Sequence, residues 1–182
     1  MKRKILVSLI TATLAFGAFV VPMAAATSAT VTITATPTFI AMTLSESGWT
    51  LGMVAANTTY YWTADNLIPA EPLVDGDMKA TITNTGSVAA DINIKVAAFT
   101  GGVGWTISTD NTPSADEVAI RAGISGMANR AAMIQVITTD TELVDNLAAA
   151  GTKMMCLELL TGTFSDGVAK SGVVTVTAVA HT

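Results

Sequence analysis

Val173-Val174-Thr175-Val176-Thr177-Ala178-Val179 places Val174, Val176 and Ala178 at every second position with threonines between them. Successive side chains of a strand point to opposite faces, so this spacing predicts a half-buried β-strand. Thr30-Val31-Thr32-Ile33-Thr34-Ala35 repeats the pattern near the other end, with Val31, Ile33 and Ala35 on one face. Between these two runs, segments rich in Val, Ile and Thr predict strands over 39–44, 49–54, 59–63, 78–83, 90–99, 103–108, 117–122, 131–138 and 153–161. The separators carry turn chemistry: Glu46-Ser47-Gly48, Asn84-Thr85-Gly86-Ser87, Thr100-Gly101-Gly102, Asp110-Asn111-Thr112-Pro113 and Ser165-Asp166-Gly167. Many short strands at this spacing predict an all-β fold, a jelly-roll-like or Ig-like β-sandwich.

One segment reads differently. Thr139 and Glu142 have capping-box spacing, Leu143, Val144 and Leu147 fall on one helical face, and Gly151 offers a stop. The expectation is one short helix over about 139–150. The longest irregular stretch, 64–76, contains Pro69 and Pro72 and reads as a loop.

The start of the chain has a basic Lys2-Arg3-Lys4, an apolar stretch from Ile5 to Val20, then Pro22 and Ala24-Ala25-Ala26. That order predicts a secretory signal peptide over 1–26, cut after Ala26, and hence a secreted, extracellular or cell-surface protein. The competing reading is a retained membrane anchor, because the apolar run approaches the span of a bilayer. Residues 27–37 would then hold the N-terminal strand, and 38–182 a single sandwich domain. After cleavage six basic residues face fourteen acidic ones, a net charge of −8. Such a surface is a poor partner for nucleic acid or anionic lipid, so neither nucleic acid nor membrane is expected as a partner. Cys156 is the only cysteine and lies in the apolar run Met154-Met155-Cys156-Leu157, which predicts a buried thiol. An intermolecular disulfide is the alternative.

Enzyme chemistry finds little support. His181 is the only histidine and the penultimate residue, a place that does not hold an imidazole rigidly beside a nucleophile. No HExxH, phosphate loop or dinucleotide fingerprint is present, and no cofactor is expected. Paired-carboxylate hydrolysis needs no histidine and stays open, without positive support. Two acidic clusters are weak calcium candidates: Asp75 and Asp77 near Glu71, and Asp110 and Asp116 near Asn111 and Glu117. Solvated loop charge is the plainer reading. Tyr60-Tyr61-Trp62 is the densest aromatic cluster, with Tyr60 and Trp62 on one strand face and Tyr61 on the other. Core packing of the Tyr60/Trp62 pair competes with a sugar-stacking or subunit-contact surface. Asn57-Thr58-Thr59 is a glycosylation sequon.

Residues 27–36 carry no charge, alternate cleanly and precede Pro37, which interrupts pairing. A strand of this kind can complete the sheet of a neighbouring copy, and head-to-tail insertion does not close. The alternative is pairing within its own sandwich. Together with Met78-Lys79-Ala80-Thr81-Ile82-Thr83-Asn84-Thr85-Gly86-Ser87-Val88-Ala89-Ala90-Asp91-Ile92-Asn93-Ile94, this plan resembles the TasA-like biofilm-fibre proteins and the archaeal bundling pilins. The match at residue level is confined to the Asn84–Ser87 turn. The resemblance implies a jelly-roll subunit that donates residues 27–36, with Val31, Ile33 and Ala35 as subunit contacts, to form a homopolymer. Some members of that wider group carry a metalloprotease label, which this chain, lacking HExxH, does not support. The expected function is therefore a non-enzymatic filament subunit of the cell surface or biofilm matrix. A surface adhesin or carbohydrate-binding sandwich module is the alternative.

Overall fold

The computed structural model describes residues 37–182. The expected signal peptide and the strand carrying Val31, Ile33 and Ala35 lie outside the described residues.

The fold is an all-β sandwich of two sheets. Its strands are β1 (Met42–Leu44), β2 (Thr59–Trp62), β3 (Ala80–Asn84), β4 (Ala90–Val96), β5 (Thr106–Ile107), β6 (Glu117–Ile124), β7 (Ile134–Val136), β8 (Thr141–Leu147), β9 (Thr152–Thr161) and β10 (Val174–Ala180). The larger sheet runs β1-β3-β9-β6-β5. β9 pairs with β6 along one side and divides its other side between β3 and β2, while β7 pairs with β6 beyond β5. All these pairings are antiparallel except β5 with β6. The smaller sheet has the order β10-β4-β8.

Period-two alternation builds the core between the sheets. In β4, Ala90, Ile92, Ile94 and Val96 are buried while Asp91, Asn93 and Lys95 alternate with them. They pack with Ile82 of β3, Val118, Ile120 and Ala122 of β6, and Met155, Leu157 and Leu159 of β9. The central strand β9 is buried on both faces, because Cys156 joins a second apolar cluster with Leu73, Met78 and Met133. The 64–76 stretch supplies Leu73, 1% exposed, to that apolar layer on the outer face of the large sheet, while most of its other residues stand exposed. Gly123 makes the layer possible, since a Cβ there would stand 2.6 Å from Leu73 Cδ2.

The structure corrects the helix expected over 139–150. Residues 141–147 are β8, paired antiparallel with β4. Leu143, Val144 and Leu147 are all buried, which is the spacing that imitated a helical face. Register shifts on either side of Ile92 explain it: Asn93 faces Glu142, Ile92 faces Val144 and Ala90 faces Leu147, so β8 carries one extra residue between Glu142 and Val144 and another between Val144 and Leu147. Asn146 takes up the second at φ +52°, a conformation Asn tolerates well. Two further expectations shrink. Residues 49–54 form no strand, although Trp49, Leu51 and Val54 pack against the core, and the strand expected over 103–108 is only the two residues of β5. The strand expected over 131–138 keeps only β7, and Arg130–Ala132 before it form a 3-10 turn capped by Asn129, whose Oδ1 accepts the Ala132 N–H at 3.0 Å.

Candidate functional site

The free edges of the sheets are the first place to look for a self-association site, since an edge strand exposes unpaired backbone groups. β1 and β7 have three residues each, β2 four and β5 two. In the small sheet, β8 forms one edge and is blunted by its bulge and by exposed Glu142, Asp145 and Asn146. The opposite edge is β10, seven residues without a charge, bulge or proline, paired among the described residues with β4 alone in regular register from Val174↔Val96 to Ala180↔Ala90. Its core-facing residues Val174, Val176 and Ala178 are only half-buried, whereas their neighbours Ile92, Ile94 and Val96 on β4 are at most 1% exposed. The apolar layer therefore continues to the rim of the small sheet and is incompletely covered there. Val173 and Val179 add exposed apolar surface beside it.

The aromatic cluster divides as its alternation predicts. Trp62 is buried in the core and its Nε1 donates to Gly48 O at 3.1 Å, and Tyr60 packs against the same core with its hydroxyl accepting the Ala55 N–H. Tyr61 lies on the other face, where the Arg130 guanidinium sits 5.4 Å from its ring centroid. Burial, and secondarily the nearby Glu158 carboxylate, raise the Tyr61 hydroxyl above its ordinary value. Across four strands Tyr61, Glu158, Arg121 and Gln135 stand in one register row. This row draws on residues far apart in sequence, and nothing in the spacing pointed to it.

Among the described residues, none of the calcium candidates joins a group of three or more side chains close enough to hold one ion. Asp110 accepts the Thr112 hydroxyl and N–H, which hold its carboxyl below the ordinary range. Asp116 is held low in the same way by the Ser165 hydroxyl and N–H. Asp77 accepts the Ala70 N–H at 2.8 Å, and Asp75 opens a 3-10 turn. The Asp110 bonds are the local capping expected of loop acids, whereas the Asp116 bonds tie two loops distant in sequence. Asn57, in the sequon, is exposed at φ +51°.

His181 departs from the sequence reading. Its N–H bonds Ala89 O at 3.2 Å and its Nδ1 lies 2.7 Å from Asp91 Oδ1, so the ring is fixed at the end of β10. Cys156 is fully buried, and burial raises its thiol to about 11. No helix of the described residues is long and apolar enough to cross a membrane. No family model matches the chain, and comparison with curated proteins and with solved structures found no match.

Proposed function

We propose that this protein is a non-enzymatic structural subunit of an extracellular or cell-surface filament. Residues 27–36 of one copy add to the free edge of β10 in the next. What supports this reading is that the sequence offers an uncharged, alternating segment at 27–36 and that β10 is the longest unblunted edge among the described residues. An added strand gains main-chain hydrogen bonds to β10, and its alternating side chains cover the half-buried rim left by Val174, Val176 and Ala178. Val31, Ile33 and Ala35 are the residues of matching size and spacing for that rim. Because the donor segment and the acceptor edge are different surfaces, each copy can receive one neighbour and reach another, and the series stays open. The resemblance to TasA-like fibre proteins points the same way. The adhesin reading has less behind it, since the rings of Tyr60 and Trp62 are taken up by the core.

Electron microscopy of the mature protein tests the proposal. The reading expects filaments from the mature chain and a folded, dispersed monomer after deletion of 27–36. Filaments that persist after the deletion, or a deleted chain that cannot fold, contradict it.

A further inference from the structure

On the outer face of the small sheet, each of its three strands contributes one side chain to a single point. Asp91 comes from β4, Asp145 from β8, and His181 follows directly on β10. We propose that these three residues form a binding site for one divalent transition-metal ion of the zinc type, a site independent of the filament reading.

The geometry rests on His181 Nδ1, which lies 2.7 Å from Asp91 Oδ1 and 3.3 Å from Asp145 Oδ1. The three ligand atoms all fall within 4.8 Å of one another. Zinc binds imidazole nitrogen and carboxylate oxygen at about 2.0–2.2 Å, so neighbouring ligand atoms of a tetrahedral site stand about 3.4 Å apart. The observed separations need only small side-chain movements to reach that arrangement.

A hydrogen bond alone leaves the arrangement incomplete. Nδ1 carries at most one proton, yet two carboxylates converge on it, and a neutral ring leaves two negative charges side by side. A dipositive ion replaces that proton and answers both carboxylates and the ring nitrogen together. The mixture of one imidazole with two carboxylates favours a borderline ion such as zinc over calcium, which takes oxygen ligands.

The surroundings fit a ligand set already oriented. Asp91 Oδ1 also accepts the Asn146 N–H at 2.9 Å, a bond that holds its carboxyl below the ordinary range and fixes its direction. The β8 bulge at Asn146 leaves Asp145 exposed beside Asp91. With Asp145 67% and His181 34% exposed in their side chains, an ion reaches the site from solvent and keeps open positions for water. The chain offers no other histidine, and its one cysteine is fully buried.

The test is a zinc titration of the mature protein at pH 7.5, followed through the imidazole resonances of its one histidine and through Tm. The proposal expects the resonances to shift and saturate at one zinc per chain, with Tm rising. It expects at least a tenfold loss of affinity in Asp145→Asn and a loss of the saturable site in His181→Ala. Asp145 is exposed, so its variant keeps the fold, which Tm without zinc verifies. The assignment is overturned by an absence of saturable binding up to millimolar zinc, by undiminished binding in either variant, or by a Tm response to calcium without one to zinc.

Discussion

Glu158 of β9 stands directly opposite Arg121 of β6, and the Arg121 guanidinium donates to its Oε1 through both Nε and Nη2. Glu158 is 4% exposed. Arg130 completes the cluster with its Nε 3.5 Å from Glu158 Oε2, too long and poorly aligned for a hydrogen bond. Removing one partner of a buried pair leaves an uncompensated charge, so Glu158→Ala or Arg121→Ala is expected to cost roughly 3–5 kcal/mol. Replacing both by apolar residues of similar volume is expected to cost far less. Guanidinium unfolding midpoints at constant m-value measure the difference.

Asn84, at the end of β3, is fully buried, and its Nδ2 lies within hydrogen-bond distance of the carbonyls of Val88, Leu147 and Ala148 while its Oδ1 accepts the Gly86 N–H. One side chain thus ties the β3–β4 turn to the end of β8. Truncation leaves several buried backbone groups without partners, each worth about 1–3 kcal/mol. Asn84→Ala is expected to lower stability by about 3 kcal/mol, and Asn84→Asp to be nearly as harmful because a carboxylate offers no donor to those carbonyls. Thermal unfolding of the two variants checks both statements.

Cys156 gives the protein an alkaline sensitivity. Its folded value of about 11 lies above the ordinary 9.0, so between those values the unfolded chain has lost the thiol proton and the folded chain keeps it. The contribution is fully present below pH 9.0 and is lost as pH rises through about 11. The raised Tyr61 hydroxyl acts in the same direction. Stability is expected to fall between pH 9 and pH 11, and less steeply in Cys156→Ala. Thiol reagents are expected to modify Cys156 only on unfolding, which a mass measurement with and without denaturant reads directly.

Much of the fold was legible because it rests on local alternation. β4 and β10 follow the period-two pattern closely, β9 was legible instead as a continuous apolar run, and the all-β sandwich follows from many such segments. β8 misled because its bulge sets Leu143, Val144 and Leu147 at spacings shared with a helix, and a bulge depends on the partner strand. Residues 49–54 failed for a related reason: Trp49, Leu51 and Val54 pack against the core, but no strand among the described residues pairs with them. The site residues were less legible than the strands. Asp91, Asp145 and His181, like Tyr61, Arg121 and Glu158, meet through strand order, which the linear spacing of the chain does not encode.

The exposed edge of β10 also makes a prediction about point changes. A charge pointing inward from an edge strand opposes the addition of another strand. Val176→Lys is therefore expected to abolish filament growth while the long lysine stem lets the half-buried site keep its fold. Sedimentation and far-UV circular dichroism on the same sample separate the two effects.

Strand donation to β10 is tested most directly by adding a synthetic peptide of residues 27–36 to the chain lacking them and following amide hydrogen exchange. The account predicts saturable binding of one peptide per chain, with new protection concentrated in Val174–Ala180. Protection at β1 or β8 instead, or no binding at all, would contradict it.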